Sequence, residues 1–495
     1  MILGIDIGTT SSKAVVLDGS LNVIGEARIA HSVETLRPGF VEQNSEIWWA
    51  DLCQLAKSLS KKLDLAQISA VGLSSMGPNI LPVSSEGKAL RSGILYGIDT
   101  RASFEISELS RILKSDEIAH IFGRYSSQSI LPKILWIKNN QKEIFESANK
   151  FLTTNGYIGY RLTGKYALDY FSASAGGLID FSKNTLYESS LEAVNIPSTM
   201  IPDLLWPGDI LGTITSEAAS ATGLSEGTMV IAGTTDAANE AVICGCHKPG
   251  ESVISLGGTS IFVTCTDKPV LMENALVCNY LDNNSFIIGG ATGSGGLLID
   301  WFSENICSSA PEKILSLIPK QRPYKTELVA LPYLNGARNP LNDKSAKGLI
   351  VGLTNNSQLQ DIYMAFIESL AMEIEMMIED ISKKLSINNN LRVTGGGSNN
   401  EVLVQTICEV LHMNVEVLPK EMGSAAGAAV LAGAAQGYWT IDQAIKMVPV
   451  RKIYKNSGNS EEYFSIKKEI FRKAYRANQN IFADLDNLAG MMQKS

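Results

Sequence analysis

Short apolar runs rich in β-branched residues alternate along this chain with longer segments whose apolar residues recur every three or four positions. The short runs include "ILGIDIG", "AVGLSS", "GTMVIAG", "ESVISLG" and "LRVTGGG". The clearest of the longer segments extends from about Leu359 to Leu385, where the apolar residues form one stripe at helical spacing. Strands that alternate with helices are typical of the α/β class, and we expect the stripe to pack in a core.

The opening of the chain predicts three antiparallel strands and a helix. "KAVVLDGSLNVIGEARI" indicates a hairpin joined at Asp18-Gly19, a dipeptide common in two-residue turns. In "NSEIWWADLCQLAKSL", apolar residues recur at helical spacing from Trp48 to Leu59, and Ser45 is the candidate N-cap. "ISAVGLSSM" then predicts a buried strand that ends in a polar loop.

A second strand, Gly-Thr turn and strand occur at "GESVISLGGTS", so the chain resembles a duplication of its own opening. With 495 residues the chain exceeds one ordinary core. We therefore predict two domains, residues 1–245 and 246–495, the second including a helical tail. The exposed N–H groups of the two turns could both bind a phosphate lying in a cleft between the domains.

Composition narrows the class of partner. The net charge of −9 argues against nucleic acid, and 45% hydrophobic with 19% charged residues is typical of a folded globular protein. Seven scattered cysteines favour a reducing compartment. Asp6 interrupts the apolar run that a signal peptide needs, and "AAGAAVLAGAAQGYW" is too short to span a membrane. We expect a cytoplasmic protein without membrane association.

The segment Asp6-Ile7-Gly8-Thr9-Thr10 carries the first candidate chemistry. Its carboxylate could hold a divalent cation, and its glycine and threonines could bring N–H and hydroxyl groups close to phosphate. The alternative is structural, with Gly8 forming a tight turn that the threonines cap.

The segment "GTMVIAGTTDAANEAV" repeats this design, with Asp236 following a Gly-Thr-Thr turn at the start of a predicted helix. Asp236 is either the N-cap of that helix or a carboxylate presented at the end of a strand. Farther on, Gly395, Gly396 and Gly397 lie between a strand and a helix. Three adjacent glycines favour a ligand lying against backbone, although neither a Rossmann fingerprint nor a Walker A loop is present.

Ten segments in order resemble the FGGY family of carbohydrate kinases, and xylulose kinases among them. They are "GIDIGTTSSKAVVLD", "PGFVEQNSEIWW", "YGIDTRA", "PKILWIKNN", "YRLTGKYALDYFSAS", "AGTTDAANEAV", "SLGGTS", "LPYLNGARNPLNDKSAKGLIVGLT", "GGGSNNEVLVQTICEVLHMNVEV" and "GSAAGAAVLAGAAQG". The resemblance implies a duplicated actin-like, ribonuclease-H-like two-domain α/β fold with a catalytic cleft between the domains.

The resemblance also implies roles for individual residues. Asp236 would be the general base that takes a proton from a sugar hydroxyl as this attacks the γ-phosphate of ATP, and Asp6 would hold Mg²⁺. Residues 1–245 would bind sugar and phosphate, and residues 246–495 the nucleotide. The positions implied to lie near ATP are Thr9, Thr10 and Lys13 at the phosphates, Gly258, Thr259 and Gly296 around phosphates and nucleotide, and Gly396, Gly397 and Asn400 at the adenosine.

The sugar is expected near Asp99, Arg101 and the loop after "AVGLSS", where the sequence departs from the family pattern. Xylulose kinases have Gln-Met-His-Gly there, with Met and His at the sugar, whereas this chain has Gly77 and Pro78 at those positions. Asn79 could supply a polar contact. "YGIDTRA" is also one residue longer than the common form.

The expected activity is ATP-dependent phosphorylation of a small sugar or polyol, with a pentulose such as xylulose as the first candidate. Two alternatives stay open. One is a nucleotide-driven binding protein of the actin or heat-shock-protein-70 type, because a fold alone does not decide function. The other is a family member that has lost its substrate and only regulates. A homodimer also stays open.

Overall fold

The computed structural model describes residues 1–113, 125–272, 274–307, 317–318 and 324–492. Strands and helices alternate along it, which confirms the predicted α/β class. The strands are β1 (Ile2–Ile7), β2 (Ser11–Leu17), β3 (Val23–Ala30), β4 (Glu34–Arg37), β5 (Phe40–Gln43), β6 (Ala70–Ser75), β7 (Leu81–Val83), β8 (Gly93–Ile94), β9 (Lys150–Leu152), β10 (Leu168–Asp169), β11 (Ile179–Asp180), β12 (Thr185–Leu186), β13 (Leu204–Leu205), β14 (Ile210–Thr213), β15 (Met229–Ile231), β16 (Thr234–Thr235), β17 (Ser252–Leu256), β18 (Ser260–Thr266), β19 (Leu276–Asn279), β20 (Phe286–Ala291), β21 (Val329–Leu331), β22 (Leu349–Val351), β23 (Asn390–Thr394), β24 (Asn414–Val417) and β25 (Lys452–Tyr454).

The α-helices range from six to 32 residues in length. They are α1 (Ser45–Leu59), α2 (Ser103–Ile112), α3 (Ile130–Asn140), α4 (Lys142–Ser147), α5 (Thr154–Thr163), α6 (Tyr170–Ala175), α7 (Glu188–Ala193), α8 (Ser216–Thr222), α9 (Asp236–Ile243), α10 (Gly296–Phe302), α11 (Leu359–Ser382), α12 (Glu401–Leu411), α13 (Ser424–Ala435), α14 (Ile441–Met447) and α15 (Glu461–Met492). Short 3₁₀ turns occupy Leu65–Gln67, Ser198–Met200 and Gly396–Asn399, and a π turn occupies Ser303–Cys307.

The chain forms two compact units that are not contiguous in sequence. Unit 1 comprises Met1–Lys248, Thr266–Ile287 and Glu421–Val448, and unit 2 comprises Pro249–Cys265, Ile288–Lys420 and Pro449–Ser495. The division into domains 1–245 and 246–495 stays a prediction.

The sheet of unit 1 has the order β14-β15-β6-β1-β2-β3, with β16 also paired to β6. β1 is antiparallel to β2 and parallel to β6. In unit 2, β17 is likewise antiparallel to β18 and parallel to β23, which continues through β24 to β25. In each unit a central strand thus has one antiparallel and one parallel neighbour. The predicted duplication requires this repeated arrangement.

Helix α13 packs on the sheet of unit 1 at backbone distance. A Cβ placed on Gly4 of β1 would lie 1.8 Å from the carbonyl oxygen of Ala425, and one on Gly72 of β6 would lie 1.9 Å from that of Ala428. On another face, a Cβ on Gly427 would lie 2.0 Å from the carbonyl oxygen of Asn239 in α9. The small residues of "GSAAGAAVLAGAA" therefore let a helix contact strands and a second helix without intervening side chains.

Several local predictions are confirmed and two are wrong. Helix α1 buries the apolar side that the spacing predicted, but its N-cap is Asn44, whose side chain accepts from the N–H of Glu46, instead of Ser45. The loop between β2 and β3 extends from residue 18 to 22 because the Asp18 carboxylate binds the N–H groups of Ser20 and Asn22. It is therefore longer than a two-residue turn.

The stripe predicted near residues 359–385 forms α11, whose residues from Tyr363 to Ile381 are mostly buried. Helix α13 is buried in the same way. Within the described ranges, no helix combines the length and the apolar character needed to cross a membrane.

Candidate active site

Polar side chains gather at the carboxyl ends of three parallel strands in unit 1. β6 lies between β16 and β1, and the register aligns Thr234 with Ser74 and Ser74 with Asp6. On the far side of β1, the antiparallel register places Lys13 opposite Asp6. Asp236 follows directly after β16. The two predicted catalytic acids therefore lie at the same edge of one sheet.

Asp6 is buried, with 5% of its surface exposed. Its Oδ1 accepts a hydrogen bond from Ser74 Oγ at 2.8 Å. Burial raises the pKa of Asp6, and hydrogen bonds from Ser74 and Ser424 together with the charge of Lys13 partly oppose that rise. Ser424 is the first residue of α13, so the close packing of that helix brings a donor to the acid.

Asp236 is the first residue of α9, and the N-cap of that helix is Thr235. Its Oδ1 accepts from the N–H of Ala237 at 2.8 Å. The side chain is half-buried. Burial, followed by repulsion from Asp6 and Glu240, raises the pKa of Asp236 to about 8. Asp236 is thus a carboxylate presented at the end of a strand, and it is not the helix N-cap.

This raised pKa predicts that Asp236→Asn stabilises the ligand-free protein, and increasingly so as the pH rises. Unfolding returns the carboxyl pKa from about 8 to its ordinary 3.8, so between these values the unfolded chain releases a proton that the folded protein keeps. Raising the pH through this window therefore favours unfolding of the wild type, whereas asparagine does not titrate.

The measurement is the melting temperature of both proteins without ligands, from about pH 5 to about pH 8. The stabilisation by Asp236→Asn should be larger at the upper end. A Glu226→Gln variant, altered at an exposed acid, should follow the wild type throughout. A difference that is independent of pH would contradict the prediction.

The backbone that presents Asp236 is held by buried amides and an acid. Asn239 Nδ2 donates to the carbonyls of Thr234 and Thr235 at 3.1 Å each, and Asn155 Nδ2 donates to that of Thr234 at 2.5 Å. Thr234 Oγ1 donates to Asp169 Oδ1 at 2.8 Å. No pattern in the sequence marked Asn155, Asn239 or Asp169 as part of the site. Asp169 lies in the segment "YRLTGKYALDYFSAS", but its partner is 65 residues away.

The turn from Gly8 to Ser11 joins β1 to β2 and carries the predicted phosphate contacts. It closes with a hydrogen bond from the N–H of Gly8 to the carbonyl of Ser11 at 3.1 Å. Thr10 and Lys13 are exposed, whereas Thr9 is half-buried and its hydroxyl lies 3.0 Å from that of Tyr96. Burial and the nearby charge of Asp236 raise the pKa of Tyr96, so this phenol lies near both the turn and the acid.

The predicted sugar loop divides into two parts. Gly77 is half-buried, and a Cβ there would lie 3.7 Å from the Cβ of Tyr96. Pro78 and Asn79 are buried, and both ends of the Asn79 amide bind Thr154: Nδ2 donates to its hydroxyl at 2.5 Å, and Oδ1 accepts from its N–H at 2.9 Å. The structure thus brings Gly77 to Tyr96 and ties Asn79 to the start of α5, so a sugar contact for Asn79 stays a prediction.

Asp99 and Arg101 form an internal ion pair. Arg101 Nη2 lies 2.7 Å from Asp99 Oδ2 and Nη1 lies 2.6 Å from Glu42 Oε1, with at most 1% of the Asp99 and Arg101 side chains exposed. Asp99 also accepts from the N–H of Val41 at 2.7 Å, and the guanidinium stacks over Phe40. These contacts fix the loop that carries Tyr96, and direct binding of sugar by Asp99 or Arg101 stays a prediction.

The glycines predicted at the phosphates in unit 2 lie together. The turn between β17 and β18 is closed by a hydrogen bond from the N–H of Gly257 to the carbonyl of Thr259 at 3.0 Å. Helix α10 begins against this turn: Gly296 donates to the carbonyl of Gly257 at 2.9 Å, and Leu297 donates to that of Gly258 at 3.1 Å. Gly258 is exposed and Thr259 half-exposed.

The Gly395–Gly397 loop adjoins the same turn through Leu256. Gly395 has a φ of +86°, and a Cβ on it would lie 2.6 Å from the carbonyl oxygen of Leu256, so the position requires glycine. Gly396 is exposed, with open space at its Cα. Asn400 caps α12 by accepting from the N–H groups of Val402 and Leu403, and its amide donates to Tyr363. Contact between Asn400 and a nucleotide stays a prediction.

Two family profiles match the chain. One, described as the FGGY family of carbohydrate kinases, N-terminal domain, matches residues 1–244. The other, described as the C-terminal domain of the same family, matches residues 253–436.

Similar proteins agree with this match. A xylulose kinase of Staphylococcus xylosus is 25% identical over 95% of this chain and 99% of its own length. A gluconokinase of Bacillus subtilis is 26% identical over 87% of this chain and 86% of its own length. A crystal structure of ligand-bound xylulose kinase from Lactobacillus acidophilus has a TM-score of 0.90 and 20% identity, covering 98% and 99% of the two chains.

The matched profiles together span most of the chain, and the duplicated strand arrangement is that of the actin-like, ribonuclease-H-like fold. The expected activity class is therefore confirmed: the protein transfers phosphate to a hydroxyl of a sugar or polyol. The chain belongs to the FGGY family of carbohydrate kinases.

Proposed function

We propose that this protein transfers the γ-phosphoryl group of ATP to a hydroxyl of a small sugar, with a pentulose such as xylulose as the first candidate, and that Asp236 is the general base. The observation that carries the proposal is the half-buried Asp236 carboxyl, with its pKa raised to about 8, at the same sheet edge as Asp6.

The chemistry of Asp236 suits this role. A general base works best when its pKa is close to the operating pH, because it then both accepts a proton readily and is available in its basic form. An ordinary aspartate is too weak a base for an alcohol. Phosphoryl transfer otherwise needs alignment and neutralisation of charge, which the rest of the site would supply.

The oxygen ligands that Asp6 can offer are of the kind that Mg²⁺ prefers. Mg²⁺ prefers oxygen ligands and is commonly held in kinases by one or two carboxylates plus substrate phosphates. Asp6 and Asp236 lie close enough for the charge of Asp6 to raise the pKa of Asp236, so a cation beside them would relieve that repulsion. The described residues contain no cluster of three or more His, Cys, Asp or Glu side chains able to hold a metal. Asp6 would therefore bind Mg²⁺ only together with phosphate oxygens and water, and the ion would neutralise phosphate charge.

The remaining residues proposed to bind ATP lie on or beside exposed turns in each unit. In unit 1, Thr9 and Thr10 would offer hydroxyl and N–H groups to phosphate, and the exposed Lys13 would add a positive charge. In unit 2, the turn carrying Gly258 and Thr259, with α10 beginning at Gly296, would contact phosphates. The open surface at Gly396 would let an adenosine lie against backbone, with Gly397 beside it and Asn400 holding the loop in place.

The sugar would lie beside Asp236, Tyr96 and Gly77. Gly77 has no side chain where xylulose kinases place one, so the Tyr96 phenol is the nearby polar group best suited to orient a substrate hydroxyl. Asp99 and Arg101 would act on the sugar through the loop that they hold. Since the named relatives act on both a ketose and a sugar acid, the preference for xylulose needs a direct test.

The test is a coupled ADP-release assay with ATP and Mg²⁺ against pentuloses, pentitols, hexuloses, gluconate, glycerol and erythritol. One pentulose should stimulate turnover about a hundredfold or more over ATP alone, since kinases suppress hydrolysis by excluding water. The product should be a sugar monophosphate by mass spectrometry. Asp236→Asn protein purified identically controls for contaminating kinases.

The outcomes separate the candidate substrates. Strong stimulation by gluconate or a polyol, with none by pentuloses, would refute the pentulose assignment and keep the general-base role. A flat panel with folded, ATP-binding protein would refute the catalytic proposal and favour a regulatory family member.

A further inference from the structure

A buried histidine lies directly beneath the Gly8–Ser11 turn. His31 follows β3, and its imidazole Nε2 is 2.9 Å from the carbonyl oxygen of Gly8. On the other side of the ring, Nδ1 is 2.6 Å from Asp51 Oδ2 on α1, with 5% and 9% of the two side chains exposed. Ser12 Oγ donates to the same carboxylate oxygen at 2.7 Å.

The backbone partner of the ring assigns one of its protons. A backbone carbonyl can only accept a hydrogen bond, so Nε2 carries a proton and donates to Gly8. Nδ1 lies against Asp51 Oδ2, which also accepts from Ser12, so the Asp51 side chain holds the ring in place from its other side.

All the carbonyls of the turn accept hydrogen bonds from unit 1. The Gly8 carbonyl accepts from the His31 ring, and the Thr9 carbonyl accepts from Gln43 Nε2 at 3.4 Å. The Thr10 carbonyl accepts from the backbone N–H of His31 at 3.0 Å, and the Ser11 carbonyl accepts from the N–H of Gly8. Within a peptide unit the C=O and N–H point in opposite directions, so fixing the carbonyls of Gly8 and Thr9 also fixes the N–H groups of the two threonines that follow.

We infer that His31, held in place by its hydrogen bond with Asp51, is a positioning residue that orients the phosphate-binding turn through the Gly8 carbonyl. The inference rests on the proposed binding of ATP phosphates at Thr9 and Thr10. It adds a function for two residues whose side chains are buried behind the turn. A fixed turn presents its N–H groups already aligned, whereas a loose turn must be ordered by the nucleotide at a cost in affinity.

The test uses His31→Leu, His31→Gln and Asp51→Asn, with His412→Asn as the matched control. His412 is exposed and has a φ of +54°, which asparagine tolerates. His31→Leu removes the bond to Gly8, His31→Gln can restore a side-chain donor to Gly8, and Asp51→Asn keeps His31 while it changes the group that holds the ring. The measurements are KM for ATP and for the sugar, kcat, and the Kd of ATP by calorimetry.

His31→Leu should raise KM and Kd for ATP about tenfold, the cost of leaving a buried backbone acceptor without its hydrogen bond, while the sugar KM changes about twofold or less. His31→Gln should recover part of the loss, and Asp51→Asn should have the smallest effect of the three. His412→Asn should match the wild type. If His31→Leu does not fold, the other two variants carry the test through the ATP affinity of protein that still binds sugar.

Wild-type ATP affinity in all three variants would overturn the inference, as would equal losses for ATP and sugar, which indicate a general loss of structure. Failure of the proposed function is distinguishable. In that case the wild type itself would phosphorylate no sugar, whereas calorimetry would still report whether His31 affects nucleotide binding.

Discussion

Asp236→Asn is expected to lower kcat for sugar phosphorylation by about 10²–10⁴-fold, the usual contribution of a general base. The amide has nearly the same shape as the carboxyl and can still accept from the N–H of Ala237. It cannot accept a proton from the sugar hydroxyl. We therefore expect the Kd of ATP to remain within a few-fold of the wild-type value, with coupled phosphorylation and calorimetry as the two measurements.

A loss of activity in Asp236→Asn could in principle come from unfolding, and the expected stability of the variant removes that explanation. Because burial and the Asp6 charge oppose ionisation of Asp236, the asparagine variant should be at least as stable as the wild type at neutral pH. A loss of activity then cannot be attributed to unfolding. Asp236→Glu, which keeps the base but moves it, should retain more activity than asparagine. Wild-type turnover by Asp236→Asn would refute the general-base assignment.

Gly427→Ala is expected to destabilise unit 1 by about 3 kcal/mol or more, the upper range for overpacking. The added methyl would lie 2.0 Å from the carbonyl oxygen of Asn239, and a backbone atom in a helix cannot move aside as a side-chain end can. Asn239 also holds the carbonyls of Thr234 and Thr235. The variant should therefore lose activity before it loses its fold as the temperature is raised.

The measurements are thermal unfolding and residual activity over a temperature series. Gly19→Ala is the matched control because a Cβ at Gly19 meets nothing within 4 Å, and it should behave as the wild type. A Gly427→Ala protein with an unchanged melting temperature would show that α13 and α9 can separate without cost, contrary to their close backbone packing.

The strands that precede the two acids could be predicted from the sequence because they depend on local patterns. Apolar runs followed by Gly-Thr segments indicated β1, β15 and β17, and the acids Asp6 and Asp236 stand at or after the ends of such runs. The structure adds the strand order: β1 and β16 both pair in parallel with β6, which places Asp6 and Asp236 at the same sheet edge.

The supporting contacts could not be predicted, because they join residues far apart in sequence. Asn79 and Asn400 carry amides that could equally bind a ligand or cap a helix, and only the three-dimensional structure shows Thr154 next to Asn79 and the start of α12 next to Asn400. Nothing in the sequence of "YGIDTRA" distinguishes Tyr96 from an ordinary core aromatic residue, whereas its charged residues indicated a binding role. In the structure those charges, Asp99 and Arg101, pair with each other.

Glu421–Val448 belongs to unit 1 although it follows most of unit 2 in sequence, and this affects when unit 1 can fold during translation. Domains are generally expected to fold as they emerge, beginning at the N-terminus. Here the strands that carry Asp6 and Asp236 are translated first, but the helix that covers them and brings Ser424 to Asp6 is translated only after most of unit 2. The sheet of unit 1 therefore stays without its covering helix α13 while unit 2 is synthesised, and unit 1 can complete its fold only near the end of translation.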